Sequence, residues 1–180
     1  DGKIIAAAHE ERFTRIKHDP NFPKQAIKAV LKSAEISLDD VDHIVFYEKP
    51  LEKFRRIIAT AITFSPFGFK NYFASMKTQL LGKKVFVKNE LISGLSSISK
   101  DFDESRLLFS EHHLSHAASA FYPSPFEEAL VLCVDGVGEF ETTSLWHGQG
   151  KQLTRVKSIN FPHSLGLFYS AITYFCGFKV

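Results

Sequence analysis

The sequence predicts an α/β fold. Segments near its start read strand, helix, strand, and those from residue 129 onward read as three strands joined by turns and closed by a helix. The composition supports a packed core, since 44% of the 180 residues are hydrophobic and 18 are Phe. With a net charge of only +2, a chain this apolar offsets its ordering entropy, which excludes disorder. Nothing approaches eighteen uninterrupted apolar residues, and no basic-then-apolar leader opens the chain. A cytoplasmic protein with no membrane association is therefore expected. Cys133 and Cys176 lie in apolar runs without metal-type spacing and are expected as buried, reduced thiols.

Each element has its own signal. Asp1-Gly2-Lys3 reads as a hairpin turn feeding a strand from Ile4 to Ala8. A hairpin needs a preceding strand, so the chain is expected to begin in the middle of a sheet. Asp19-Pro20 and Phe22-Pro23 break the chain. From Lys24 to Glu35, Ala26, Ile27, Val30, Leu31 and Ala34 recur at helical spacing, a stripe expected to pack on a sheet. Val41 to Tyr47 follows as a short strand.

Residues 49–90 interleave basic and aromatic side chains, as in Phe54-Arg55-Arg56 and Phe67-Gly68-Phe69-Lys70. Such interleaving suits single-stranded nucleic acid or a membrane surface. An amphipathic helix explains it better: Leu51, Phe54, Ile57, Ile58 and Ala61 repeat at helical spacing with Lys53, Arg55 and Arg56 between them. The charge is uneven, with 17 basic against 11 acidic residues up to position 100 and 5 against 9 beyond it. The overall balance is not that of a polyanion binder, so no nucleic-acid partner is expected.

Leu107 to Phe109 reads as a strand. Ser110 is placed to cap a helix running from Glu111 to Tyr122, which Pro123 and Pro125 stop. Ala129 to Val134 is an apolar strand ending on Asp135-Gly136-Val137-Gly138-Glu139. Thr142 to Trp146 and Leu153 to Asn160 complete a meander, with His147-Gly148-Gln149-Gly150 as the turn, and Ser164 to Cys176 is an apolar helix stopped by Gly177.

Chemistry concentrates in three places. In Glu111-His112-His113-Leu114-Ser115-His116, His112 and His116 stand one helical turn apart and project from nearly one face, so they can share a metal ion. Leu114, Ala117, Ala118 and Phe121 form a stripe centred on the opposite side, so the pair is expected to point away from the core. Idle surface histidines remain the alternative. Two ligands do not suffice, and Asp135, at the end of a strand, is the natural carboxylate. Gly136 and Gly138 let backbone N–H groups approach a phosphate, although an Asp-Gly pair also starts plain hairpins. The third place is Glu10 to Asp19, where Glu11, Arg12, Lys17 and His18 are candidates to grip an anionic substrate; a solvated charge run is the competing explanation.

Taken together, EERFTRIKHD (10–19), VFYEKPL (45–51), HHLSHAASAF (112–121), ALVLCVDGVGE (129–139), Thr142 to Ser144, and FPHSLGLFYSAITYFCGF (161–178) resemble the NodU/CmcH-type O-carbamoyltransferases. The resemblance implies an actin-like ATPase, ribonuclease H-like fold, incomplete at both ends. Residues 1–126 would form part of a first subdomain, with a helical insertion at about 49–90 and the HxxxH helix at 111–122. Residues 127–180 would begin a second. It further implies a divalent metal, iron first and zinc or manganese otherwise, on His112, His116 and Asp135, which become the catalytic residues. Gly136, Gly138 and Glu139 would serve the cofactor ATP. A C-terminal YrdC-like domain would make carbamoyl adenylate from carbamoyl phosphate and ATP, and the metal domain would transfer the carbamoyl group to a hydroxyl of a small natural product or sugar. His9 stands where the family more often has an acidic residue. By that resemblance this chain is a fragment, inactive alone, within a protein that a homodimer would suit. A metal-dependent hydrolase and a non-catalytic nucleotide-binding module are the competing readings.

Overall fold

A computed structural model describes residues 2–63 and 87–178, a mixed α/β structure of helices and small sheets. The aromatic run Phe67 to Phe73 lies outside the described residues. The chain divides into two compact units, Asp1–Val45 with Ser75–Leu108, and Phe46–Ala74 with Phe109–Val180.

In the first unit, Ile4 to Ala8 is not a strand. Its β-like composition finds no ladder partner among the described residues, and Ile4 and Ile5 are largely exposed. The charged segment that follows makes a single helical turn, α1 (Glu11–Thr14), closed by Arg15 in the left-handed conformation at φ 61°. Helix α2 (Lys24–Ala34) starts after Pro23, which offers no side-chain cap. Glu10 supplies one from a distance, its carboxylate accepting the N–H groups of Gln25 (3.1 Å) and Ala26 (2.7 Å). Glu35, at φ 57°, ends the helix. The predicted stripe is present but only Ala26 is buried; Ile27, Val30 and Leu31 line a cavity of about 330 Å³ together with Leu38, Ile44 and Leu95. A 3₁₀ turn at Leu38–Asp40 carries a reciprocal Ser37–Asp40 capping box. The Arg106 guanidinium ties that turn down by donating to the carbonyls of Leu38, Asp39 and Val41. The predicted strand 41–47 shortens to β1 (Ile44–Phe46), paired with β2 (Leu107–Phe109). Helix α4 (Val87–Ser96) contributes the buried Leu95.

The second unit holds α3 (Pro50–Thr63), the amphipathic helix expected there, and α5 (His112–Phe121). Strands β3 (Glu128–Val134), β4 (Glu141–Gln149) and β5 (Gln152–Asn160) form an antiparallel meander in that order. Strand β4 runs longer than predicted. His147, Gly148 and Gln149 stay in the ladder, and Gly150 and Lys151 alone reverse the chain between the paired Gln149 and Gln152. The meander buries one face against α5, where Ala117, Cys133 and Trp146 form a core flanked by Leu114, Val131 and Leu153. Along β4 the buried positions alternate through Thr142, Ser144 and Trp146. Strand β3 is therefore apolar on both faces but buried on one: Leu130, Leu132 and Val134 are exposed. Helix α6 (Leu165–Phe175) opens on Ser164, whose Oγ accepts the N–H of Leu167 at 3.0 Å, and stops at Gly177 with φ 82°. Its apolar side chains Phe168, Tyr169 and Phe175 are exposed, and so is Cys176. Only Cys133 is the buried thiol expected of both; burial pushes its pKa up.

Candidate metal centre

Helix α5 enters without the serine cap predicted for it. Glu111 occupies the N-cap position and makes no side-chain cap bond. The Glu139 carboxylate replaces it, accepting the His112 N–H through both oxygens at 3.1 and 3.0 Å and the Lys49 N–H at 2.7 Å. A carboxylate at a helix N-terminus is favoured by the exposed N–H groups and the helix dipole.

The buried line of α5 is His113, Ala117 and Phe121. The expected apolar stripe is thus displaced, and the His112/His116 line flanks it instead of lying opposite. His112 is mostly buried, its side chain 15% exposed, while His116 is 53% exposed. Asp135 follows the end of β3, which packs against α5 through Cys133 and Ala117. His112 Nε2 lies 2.7 Å from Asp135 Oδ2 and 3.0 Å from His116 Nε2, which is 3.9 Å from the same Oδ2. One ligand atom from each residue lies within 4.8 Å of the others. Donors about 2.1 Å from one ion at angles of 90–109° stand about 3.0–3.4 Å apart, so a shared divalent ion fits these separations with small adjustments. Two imidazoles and a carboxylate suit iron, zinc or manganese.

The turn after Asp135 is engaged within the chain. Gly136 N–H donates to Asp135 Oδ1 (2.6 Å), leaving Oδ2 toward the histidines, and Gly138 N–H donates to the Glu141 carbonyl (2.8 Å). A Cβ on Gly138 would sit 3.0 Å from the His113 ring and 3.1 Å from the His112 ring, so the missing side chain is what lets both imidazoles approach. Burial raises the Asp135 pKa, but the Gly136 N–H and the two histidines outweigh it and hold the carboxyl below its usual value.

Three participants were not singled out by sequence reasoning. His113 is fully buried, with Nδ1 2.6 Å from Ser144 Oγ, which also accepts Trp146 Nε1–H at 2.7 Å. Burial, ahead of nearby charges, keeps its pKa low. Glu48 stands with its carboxylate 3.9 Å from His112 Nδ1. Arg155 pairs with Glu141 and reaches Glu111 at 3.7 Å, beside a charged cavity of about 320 Å³ shared with Lys49, Glu52 and Glu139. Burial raises the Glu141 pKa, against the pull of Arg155. The alternation of polar Thr142 and Ser144 with Trp146 was the available signal for a polar core contact. Glu11, Arg12, Lys17 and His18 lie in the first unit, where Glu11 Oε2 accepts the His18 N–H at 3.1 Å and the other side chains are exposed.

Fold and site thus define a mixed α/β protein with a His-His-Asp cluster able to hold a metal. The chain belongs to the carbamoyltransferase N-terminus family, which it matches over residues 1–180. It is 57% identical over its whole length to the uncharacterized protein sll1178 of Synechocystis sp., covering 29% of that protein. It is 33% identical to the nodulation protein NolNO of Sinorhizobium fredii, over 99% of this chain and 24% of NolNO. Likeness to the uncharacterized protein MJ1051 of Methanocaldococcus jannaschii is 26%, over 98% of this chain and 27% of that protein. The chain therefore spans less than a third of the length of these relatives. Among the described residues, no helix is long and apolar enough to cross a membrane.

Proposed function

We propose that the full-length protein is a cytoplasmic, ATP-dependent O-carbamoyltransferase in which this chain, of actin-like ATPase type, carries the metal centre. On a YrdC-like domain, water splits carbamoyl phosphate into carbamate and phosphate, and the carbamate oxygen displaces pyrophosphate from the α-phosphorus of ATP to give carbamoyl adenylate. A hydroxyl of a small natural product or sugar then attacks the carbamoyl carbon, losing its proton as AMP leaves. The single observation that carries the reading is the convergence of His112, His116 and Asp135 in a member of the carbamoyltransferase N-terminus family.

A divalent ion bound there supplies a Lewis acid for a carbamoyl carbonyl or for phosphate oxygens. The rest of the work falls to the protein. Gly136 orients Asp135 by occupying Oδ1, and Glu139 holds the first turn of α5, so that His112 presents Nε2 to the same point. His116 is the most exposed of the three and so the most accessible from solvent. Glu11, Arg12, Lys17 and His18 remain candidates for the anionic substrate. The isolated 180-residue chain is expected to be inactive.

Elemental analysis and transfer assays on the full-length protein test this. Wild type should contain a stoichiometric divalent metal and carbamoylate an acceptor from a panel of hydroxylated sugars and natural products, with ATP and carbamoyl phosphate required. His112→Ala and His116→Ala should lose both metal and transfer while remaining folded. Unchanged transfer in both variants would sink the reading.

A further inference from the structure

His112 has one ring nitrogen without a partner. Its Nε2 faces Asp135 and His116, while Nδ1 is buried and makes no hydrogen bond. A buried ring nitrogen left unpaired costs free energy, and a histidine that ligates through Nε2 carries its proton on Nδ1, where it needs an acceptor to fix tautomer and ring orientation. The carboxylate facing Nδ1 is Glu48, with Oε2 3.9 Å away. Glu48 is nearly buried, its side chain 13% exposed, so its carboxylate is held in place rather than swinging in solvent.

Its placement follows from the backbone around it. The Phe46 carbonyl accepts the Ser110 N–H (2.9 Å), the Tyr47 carbonyl accepts the Ser115 hydroxyl (2.9 Å), and Lys49 N–H donates to Glu139, the residue that caps α5. Residues 46–49 are thus stitched along the first turn of α5, with Glu48 facing the helix. Tyr47 adds an edge contact to the His112 ring, with centroids 5.9 Å apart. Lys53 Nζ holds the same Glu48 Oε2 at 3.0 Å.

We infer that Glu48 is a positioning residue for the metal centre: it accepts the Nδ1 proton of His112 and so holds Nε2 on the ion. The inference rests on the metal reading above. The present separation exceeds a hydrogen bond by about 1 Å, a gap that small side-chain rotations close.

Cobalt(II) titration of the full-length protein, read by visible absorption and by metal content after desalting, tests it without any assay of transfer. Glu48→Ala should bind cobalt about 10–100-fold more weakly than wild type. Glu48→Gln keeps the volume and an acceptor oxygen and should recover part of the loss; it also carries the test should the alanine variant fail to fold. Arg55→Met, which breaks an exposed ion pair with Glu52 on the same helix, should stay within about threefold of wild type. Glu48→Ala binding as tightly as wild type would overturn the inference, as would Arg55→Met weakening binding to the same extent. Failure of the metal reading looks different, because wild-type protein would then bind no cobalt, or bind it equally well after His116→Ala.

Discussion

Glu139 and His112 are joined through the backbone: both carboxylate oxygens of Glu139 accept the N–H of His112. The bond starts α5 at the residue whose ring faces Asp135, so helix capping and site geometry are one interaction. Glu139→Ala should cost about 0.5–2 kcal/mol, the usual range for losing an N-cap, and Glu139→Gln less. Urea denaturation measures both. An alanine variant as stable as wild type would show that water caps the helix equally well.

Ser144 serves two partners in the core. It accepts Trp146 Nε1–H and bonds His113 Nδ1, and all three residues are buried. Ser144→Ala strands both partners, at about 1–3 kcal/mol for each buried polar group left unmade. Thermal unfolding should show the loss. A companion change of Trp146 to Phe should add less than its cost alone, since the indole N–H has already lost its acceptor.

Gly166 lies against the Asp135 backbone. A Cβ there would sit 2.5 Å from the Asp135 carbonyl carbon and 2.7 Å from the Gly136 nitrogen, atoms that cannot rotate away. Gly166→Ala should therefore displace the start of α6 from the turn that carries Asp135, with an overpacking cost of about 1–3 kcal/mol. Lower stability together with weaker cobalt binding is the expected pair of readouts; a variant normal in both would mean the turn yields freely.

Acid should weaken the first unit through Asp40. The Ser37 hydroxyl, then the Ser37 N–H, and more weakly the Arg106 charge, hold its carboxyl below the usual value against a small effect of burial. The folded pKa lies below the unfolded one, so as pH falls the unfolded chain takes the proton first. The stability Asp40 contributes is full above the unfolded pKa of about 3.9 and disappears as pH drops through the folded value. Asp40→Asn should flatten the fall in stability below about pH 4, measured as urea midpoints against pH. A variant that keeps the wild-type slope would remove Asp40 from the account.

Some of this was legible in residue order alone. The spacing of His112 and His116, the position of Asp135 after an apolar strand, the helices α2, α3, α5 and α6, and the three-stranded meander all follow from short-range periodicity and turn chemistry. Elsewhere the outcome turned on contacts between distant residues. Ile4 to Ala8 has strand composition, but a strand exists only when another backbone pairs with it. Apolar spacing alone centres the core face of α5 on Leu114, Ala117, Ala118 and Phe121, whereas the β4 face it meets offers Ser144, which makes His113 the better-fitting neighbour.

By itself, then, the sequence determined the family, the α/β character and the identity of the candidate metal ligands, because those depend on side-chain types and on spacings of a few residues. Only the tertiary structure decided that Glu139 caps α5, that Glu48 faces His112 Nδ1, and that His113 turns inward. These partners lie far apart along the chain, and their meeting depends on strand register and on how the 46–49 segment lies along the helix, neither of which has a local signature.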